Sequence, residues 1–258
     1  MTLEITYPYV GASKEPRPMT AQQVWSVAHQ VRRQLTARPN VPRLDLERVT
    51  RATGGMRVNG TAVSMQWDLE RVIRDSRGRE ALGVTEADPA VPGIVLISLN
   101  AGLIADRDYL KRSTLAHELG HAVFDGPSML RQAGKPAFAM VTPDEGHLET
   151  AVRGRTGMDW REFRANEFMG ALLVPRLLLH RELVRHSIAL GLALRDAGES
   201  QPVLDRRGDP SRVEGLLIDL GERFGVSATF IEYRLHRYGL VYRGVTVRGP
   251  TSCHVSLT

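Results

Sequence analysis

Apolar residues near the start of the chain recur at helical intervals. Val24, Val27, Ala28, Val31 and Leu35 form one stripe, and Thr20 with Gln23 has the spacing of a capping box, which predicts a helix from residue 20. The nineteen residues before it carry scattered Pro and Gly and are expected to form an irregular arm. A short helix is expected from Leu44 to about Ala52, stopped by Gly54-Gly55. Between residues 56 and 99 the pattern becomes that of strands and turns. Ala81 to Ala87 is one candidate strand, and Ile94 to Leu99, following Pro92-Gly93, is the clearest. Helical periodicity then returns. One helix is capped by Asp106 or Asp108, runs through Phe124 and is ended by Gly126-Pro127; a second spans Asp159 to Val174 before Pro175. Further helix is expected over Arg176 to Leu194 and Val213 to Tyr238, with a charged loop between, from Arg195 to Asp209. Helices, then a small sheet, then more helices predict an α+β fold. The expected organisation is a main domain over 20–200, a helical segment over 210–243 packed on it, and a tail over 244–258.

Composition narrows the class. With 42% hydrophobic and 24% charged residues in 258, the chain is long enough and apolar enough to build a real core, which excludes wholesale disorder. The net charge of +5 would permit contact with nucleic acid, but the charges are scattered without a polybasic block, as a solvated basic surface requires. The single cysteine, Cys253, cannot form an internal disulfide, and no apolar run reaches membrane-spanning length. No secretory signal is seen at the start, so the expected location is the reducing cytoplasm, with no membrane partner.

The sharpest chemistry lies in His117-Glu118-Leu119-Gly120-His121. Residues four apart on a helix share a face, so His117 and His121 can direct imidazole nitrogens at one ion. Glu118 stands beside that face, where a carboxylate can relay a proton from water to a leaving amine. Leu115, Leu119 and Val123 supply an apolar stripe, while Ala116, Gly120 and Ala122 would let neighbours approach closely. This combination predicts a peptidase holding one zinc ion per chain, which needs a third protein ligand. Asp125, Asp144, Glu145, Glu149, Asp159, Glu162 and Glu167 are all carboxylates downstream, and spacing does not choose among them.

A second motif does. Glu162-Phe163-Arg164-Ala165-Asn166-Glu167-Phe168-Met169-Gly170-Ala171-Leu172-Leu173-Val174-Pro175, taken with the histidine motif, resembles the ImmA/IrrE family of zinc metallopeptidases. Glu162, Ala165, Asn166, Phe168, Leu172, Leu173 and Pro175 match the family pattern, whereas Met169 and Val174 replace its usual Ala and Met. The resemblance implies a thermolysin-like, gluzincin-type domain. It also implies Glu162 as third zinc ligand, Glu118 as catalytic base and Asn166 as a group orienting a ligand histidine. Glu149 is the rival ligand, and Glu167 reads as a solvated helix charge. The interval from His121 to Glu162 is longer than the family implies, which marks 126–157 as an inserted loop over the cleft. Within it Met129, Phe138 and Met140 would touch substrate or anchor the loop, and His147 is left without a role.

Three further expectations follow. Substrate would enter as an extended strand along the sheet edge at Ile94, Val95, Leu96 and Ile97. The segment from Leu216 to Leu235 has a helix-turn-helix pattern, with Gly225-Val226 as the turn and Ser227 as a cap. Its Arg234, His236 and Arg237 could meet DNA, although the resemblance places such a hairpin inside the catalytic domain. Cys253 on a folded-back tail could occupy an open metal position as a thiolate. By analogy with the family, the substrate would be a DNA-binding helix-turn-helix repressor of a phage, mobile element or stress regulon. Competing expectations are a DNA-binding regulator, or a repressor-sequestering partner in a toxin–antitoxin-like pair, neither of which cleaves protein.

Overall fold

A computed structural model describes residues 2–36, 40–74, 78–87, 91, 93–131, 140–142 (backbone only), 159–196, 202–205 and 209–242. The first strand, β1 (Leu3–Ile5), precedes helix α1 (Ala21–Leu35), which opens on the expected capping box: Thr20 accepts from the Gln23 amide, and the Gln23 side chain accepts from the Thr20 amide. Asp45 caps α2 (Leu46–Thr53). Strands β2 (Gly55–Val58), β3 (Thr61–Asp68), β4 (Gly83–Ala87) and β5 (Ile94–Leu99) follow, then α3 (Ala101–Ile104), α4 (Asp108–Phe124), α5 (Gly126–Arg131) and β6 (Met140–Thr142). The remainder comprises α6 (Trp160–Leu173), α7 (Arg176–Ala189), the hairpin β7 (Leu194–Asp196) and β8 (Pro202–Leu204), α8 (Pro210–Phe224) and α9 (Ala228–Arg237). The architecture is α+β, as the hydrophobic pattern implied.

The main sheet has the order β1-β2-β3-β5-β4-β6. β5 lies inside it, parallel to β3 on one side and antiparallel to β4 on the other. This corrects the expectation that Ile94, Val95, Leu96 and Ile97 form a free edge: their backbone groups are already paired, and no peptide can add there. The apolar run in β5 reflects burial, with Val95, Ile97 and Leu99 fully covered. β4 borders the motif helix α4 and is itself paired on both sides, since β6 adds to its outer edge.

The amino-terminal residues are no arm. β1 pairs parallel to β2, and Leu3 and Ile5 are fully buried. Two residues on, Tyr7 packs against Phe124, and its hydroxyl donates to the carbonyls of Val123 (2.9 Å) and Phe124 (3.2 Å) at the end of α4. The alternation Leu3-x-Ile5-x-Tyr7 was the available signal, masked by the Pro and Gly after it. Other boundaries also moved. Neither Asp106 nor Asp108 caps α4; Arg107 occupies that place without a side-chain bond, while Asp108 sits in the first turn and pairs with Arg112 and Arg43. Residues 126–131 are helical rather than loop, and Met129 is buried there as an anchor. The charged stretch after α7 contains the β7–β8 hairpin. Phe138, Asp144, Glu145, His147, Glu149 and Cys253 lie outside the described residues, as do the 244–258 tail and most of the proposed inserted loop.

α4 is buried on every side from Arg112 to Phe124, as a helix through the middle of a core must be. Its contact with α6 is close because Gly120 faces Ala165; a Cβ at Gly120 would stand 3.0 Å from the Ala165 Cα. α1 covers the other side of α6. The α8–α9 hairpin turns at Gly225, whose φ of 74° is left-handed, and Ser227 caps α9. That hairpin shares the common core through Leu216, Leu220, Phe224, Ile231 and Leu235.

Glu167 is buried, which corrects its reading as a solvated charge. It accepts from Trp25 Nε1 (2.5 Å), Arg237 Nε (2.6 Å) and Arg234 Nη1 (3.3 Å), so α1, α6 and α9 meet on one carboxylate. Arg234 is only 1% exposed and lies over the Tyr238 ring. Two of the three basic residues offered for DNA contact are therefore committed inward.

Candidate metal centre

Helical spacing and helix packing assemble the site. His117 and His121, one turn apart on α4, place their Nε2 atoms 3.0 Å from each other. Glu162, in the first turn of α6, faces both: its Oε2 lies 3.4 Å from His117 Nε2 and its Oε1 3.3 Å from His121 Nε2. Asp159 caps α6 and fixes where that first turn begins. Among the described residues, His117, His121 and Glu162 form the one cluster of three with metal-ligating atoms converging.

The separations fit a tetrahedral ion. Zn–N and Zn–O bonds of about 2.0–2.2 Å at tetrahedral angles put ligand atoms roughly 3.3–3.6 Å apart, close to the observed triangle. The opposite ring nitrogens reinforce the fit. His117 Nδ1 is 3.0 Å from Asn166 Oδ1, and His121 Nδ1 is 3.2 Å from Asp125 Oδ2. Both partners are acceptors, so each Nδ1 carries the proton and each Nε2 presents a lone pair to the same point. Two buried lone pairs so close require a cation or a proton between them. Glu162 remains about one-third exposed, so the site opens to solvent on its side.

The electrostatics point the same way. Burial opposes a charge on His121, but hydrogen bonds to Asp125 and Glu162 and the nearby carboxylates of Glu162 and Glu118 outweigh it, raising its pKa to about 10. Burial likewise opposes ionisation of Glu162, yet its hydrogen bonds to His117 and His121 hold it well below the usual carboxylate range. Asp125 is depressed too: against burial, it gains from His121 and from Arg164, whose Nη2 is 2.9 Å from Oδ1. The pocket is thus an anionic cradle that a dication would neutralise.

Glu118 is buried beside the ligands and belongs to no ligand cluster. Its carboxylate Oε2 accepts from Thr85 Oγ1 at 2.7 Å. Of the residues singled out from sequence, His117, His121, Glu162, Asn166 and Glu118 come together, and Ile94–Ile97 do not reach them as an open edge. Two contributors were missed. Asp125 had been grouped with possible ligands, although its place four residues after His121 puts it on the same helix face, where it serves the ring from behind. Thr85 carried no signal, because nothing in a seven-residue strand pattern says which helix it will face.

The peptidase M78 family model, described as the IrrE N-terminal-like domain, matches residues 103–236. That stretch runs from α3 to the end of α9 and contains both motifs. No curated protein matches the chain. No helix among the described residues is long and apolar enough to cross a membrane.

Proposed function

The chain belongs to the IrrE N-terminal-like peptidase family, M78, and from that premise we propose that it is a zinc-dependent, thermolysin-like endopeptidase acting on a specific protein. The observation that carries this reading is the triangle of His117 Nε2, His121 Nε2 and Glu162, at separations of 3.0 to 3.4 Å, with Glu118 buried alongside.

In this reading His117, His121 and Glu162 hold the ion, while Asn166 and Asp125 fix the two imidazoles in the ligating tautomer. A bound zinc ion would polarise the scissile carbonyl and acidify water enough for attack near neutral pH. Glu118 takes the proton from the attacking water and returns it to the leaving amine nitrogen. Burial keeps that carboxylate out of bulk water, and Thr85 supplies a hydrogen bond that its charge requires.

The substrate we favour is a DNA-binding repressor with a helix-turn-helix, a choice supported by the ImmA/IrrE resemblance alone. The test is a comparison of newly formed protein amino termini in cells expressing the wild type or Glu118→Gln. A small set of termini present only with the wild type, one of them inside a DNA-binding regulator, is the expected result. Identical profiles, with the protein zinc-loaded, would overturn the peptidase assignment.

A further inference from the structure

The wall facing Glu118 is β4, and its contribution comes from two positions. Gly83 and Thr85 are two residues apart on the strand, so they share the face turned toward α4. At Gly83 a Cβ would stand 2.6 Å from Glu118 Oε1 and 2.9 Å from both Glu118 Cγ and Thr114 Cγ2. Only glycine leaves space there for the glutamate side chain. At Thr85 the fully buried hydroxyl lies 2.7 Å from Glu118 Oε2 and 3.1 Å from the Glu118 carbonyl oxygen. It has one proton to give, and the shorter contact to the charged acceptor takes it.

The wall cannot easily recede. Thr85 is opposite Ile97 in β5 and Met140 in β6, so ladders on both sides fix the strand's distance from α4. Thr85 is β-branched, which suits the strand and restricts χ1, so its hydroxyl has few directions available. We propose that Gly83 and Thr85 are positioning residues for the base. Gly83 keeps open the slot in which the Glu118 side chain lies. Thr85 binds one carboxylate oxygen while the other lies against Gly83, and together they set the rotation of the carboxylate plane. Neither belongs to the metal-ligating cluster among the described residues. The catalytic meaning of this arrangement rests on the peptidase reading; the arrangement itself rests on the strand–helix contact.

Thr85→Val, which keeps the shape and deletes the hydroxyl, is the informative variant, with Thr85→Ser as the conservative control. Crystal structures of the wild type and both variants form the first arm. Glu118 should keep its orientation with Ser and rotate away with Val, while His117, His121 and Glu162 stay in place. An unmoved Glu118 in Thr85→Val overturns the proposal. Steady-state kinetics on the substrate identified by amino-terminal profiling form the second arm. Loss of one charge-assisted hydrogen bond predicts that Thr85→Val lowers kcat about 10- to 100-fold. KM and zinc content should be unchanged, the melting temperature should fall by no more than a few degrees because the protein stays folded, and Ser should restore most of the rate. The Val change should have no further effect in a Glu118→Gln background. Lost zinc or lost folding in Thr85→Val, or an undiminished kcat, would mean a merely structural threonine. A wild type that cleaves nothing would defeat the peptidase reading, and the crystallographic arm would still decide whether Thr85 orients Glu118. Gly83→Ala should lower kcat at least as far; since it also crowds Thr114, it is secondary to the Thr85 pair.

Discussion

Replacing Asp125 separates a carboxylate that tunes a ligand from one that binds the ion. Asp125 is buried to 3% exposure, with one oxygen 3.2 Å from His121 Nδ1 and the other 2.9 Å from Arg164 Nη2. Asp125→Ala removes the acceptor that holds the His121 ring, and it leaves the buried guanidinium of Arg164 without its partner. Loss of such an outer partner typically weakens metal binding about 10- to 100-fold, or roughly 1.4–2.8 kcal/mol. The stranded cation adds a stability loss of about 3–5 kcal/mol. Asp125→Asn keeps an oxygen for His121 but no charge for Arg164, so its affinity loss should sit near the lower end. The assay is competition for zinc against a chromophoric chelator, run beside urea denaturation of each metal-free protein. Asp159→Asn, altering only an exposed helix cap, should leave zinc affinity unchanged. An Asp125→Ala protein with wild-type zinc affinity would refute the claim that Asp125 orients His121, whatever its stability. Complete loss of zinc in Asp125→Asn would instead make it a direct ligand.

Other consequences are equally open to measurement. In the metal-free protein the raised pKa of His121, about 10, means that the ring is protonated at pH 7 and must release its proton to bind zinc. Calorimetry at pH 7 in buffers of different ionisation enthalpy should give about one proton released per ion from this ring, with apparent affinity rising toward pH 10; no release would contradict it. By the same sign, the stabilisation that protonated His121 gives the metal-free fold is complete below its ordinary pKa of 6.5 and is lost as pH rises through about 10. Glu167→Gln should destabilise by about 3 kcal/mol, on the order of 10 °C in Tm, because Arg234 is left buried without a countercharge. A change under about 0.5 kcal/mol would restore its status as a surface charge. Gly120→Ala should cost about 1–3 kcal/mol in urea unfolding, since the added methyl meets the backbone of Ala165 rather than a movable side chain.

What could be read from sequence was whatever depends on local spacing. The Thr20–Gln23 capping box, the i,i+4 histidines, the helix that begins at about Asp159 and the Gly225–Ser227 turn each declare themselves within a few residues, and each appears as expected. The metal motif and the Glu162 motif became a single site only through the family resemblance, because the distance between α4 and α6 is set by tertiary packing at Gly120 and Ala165. Sheet order was illegible for the same reason. A run such as Ile94 to Leu99 says that a strand is buried, not which neighbours bury it, and the three-residue β1 is too short for its alternation to stand out. Glu167 misled because a carboxylate on a helix looks the same whether it meets water or three donors from two distant helices. Thr85 and Gly83 matter only through the helix they face, which no pattern within β4 encodes.

The central claim is that His117, His121 and Glu162 together bind one zinc ion, and elemental analysis of purified protein tests it most directly. After zinc reconstitution and dialysis, the wild type and Glu149→Ala are expected to hold about one zinc per chain, while Glu162→Ala and His117→Ala hold little. A wild type without zinc, or Glu162→Ala retaining the full complement, would contradict the account.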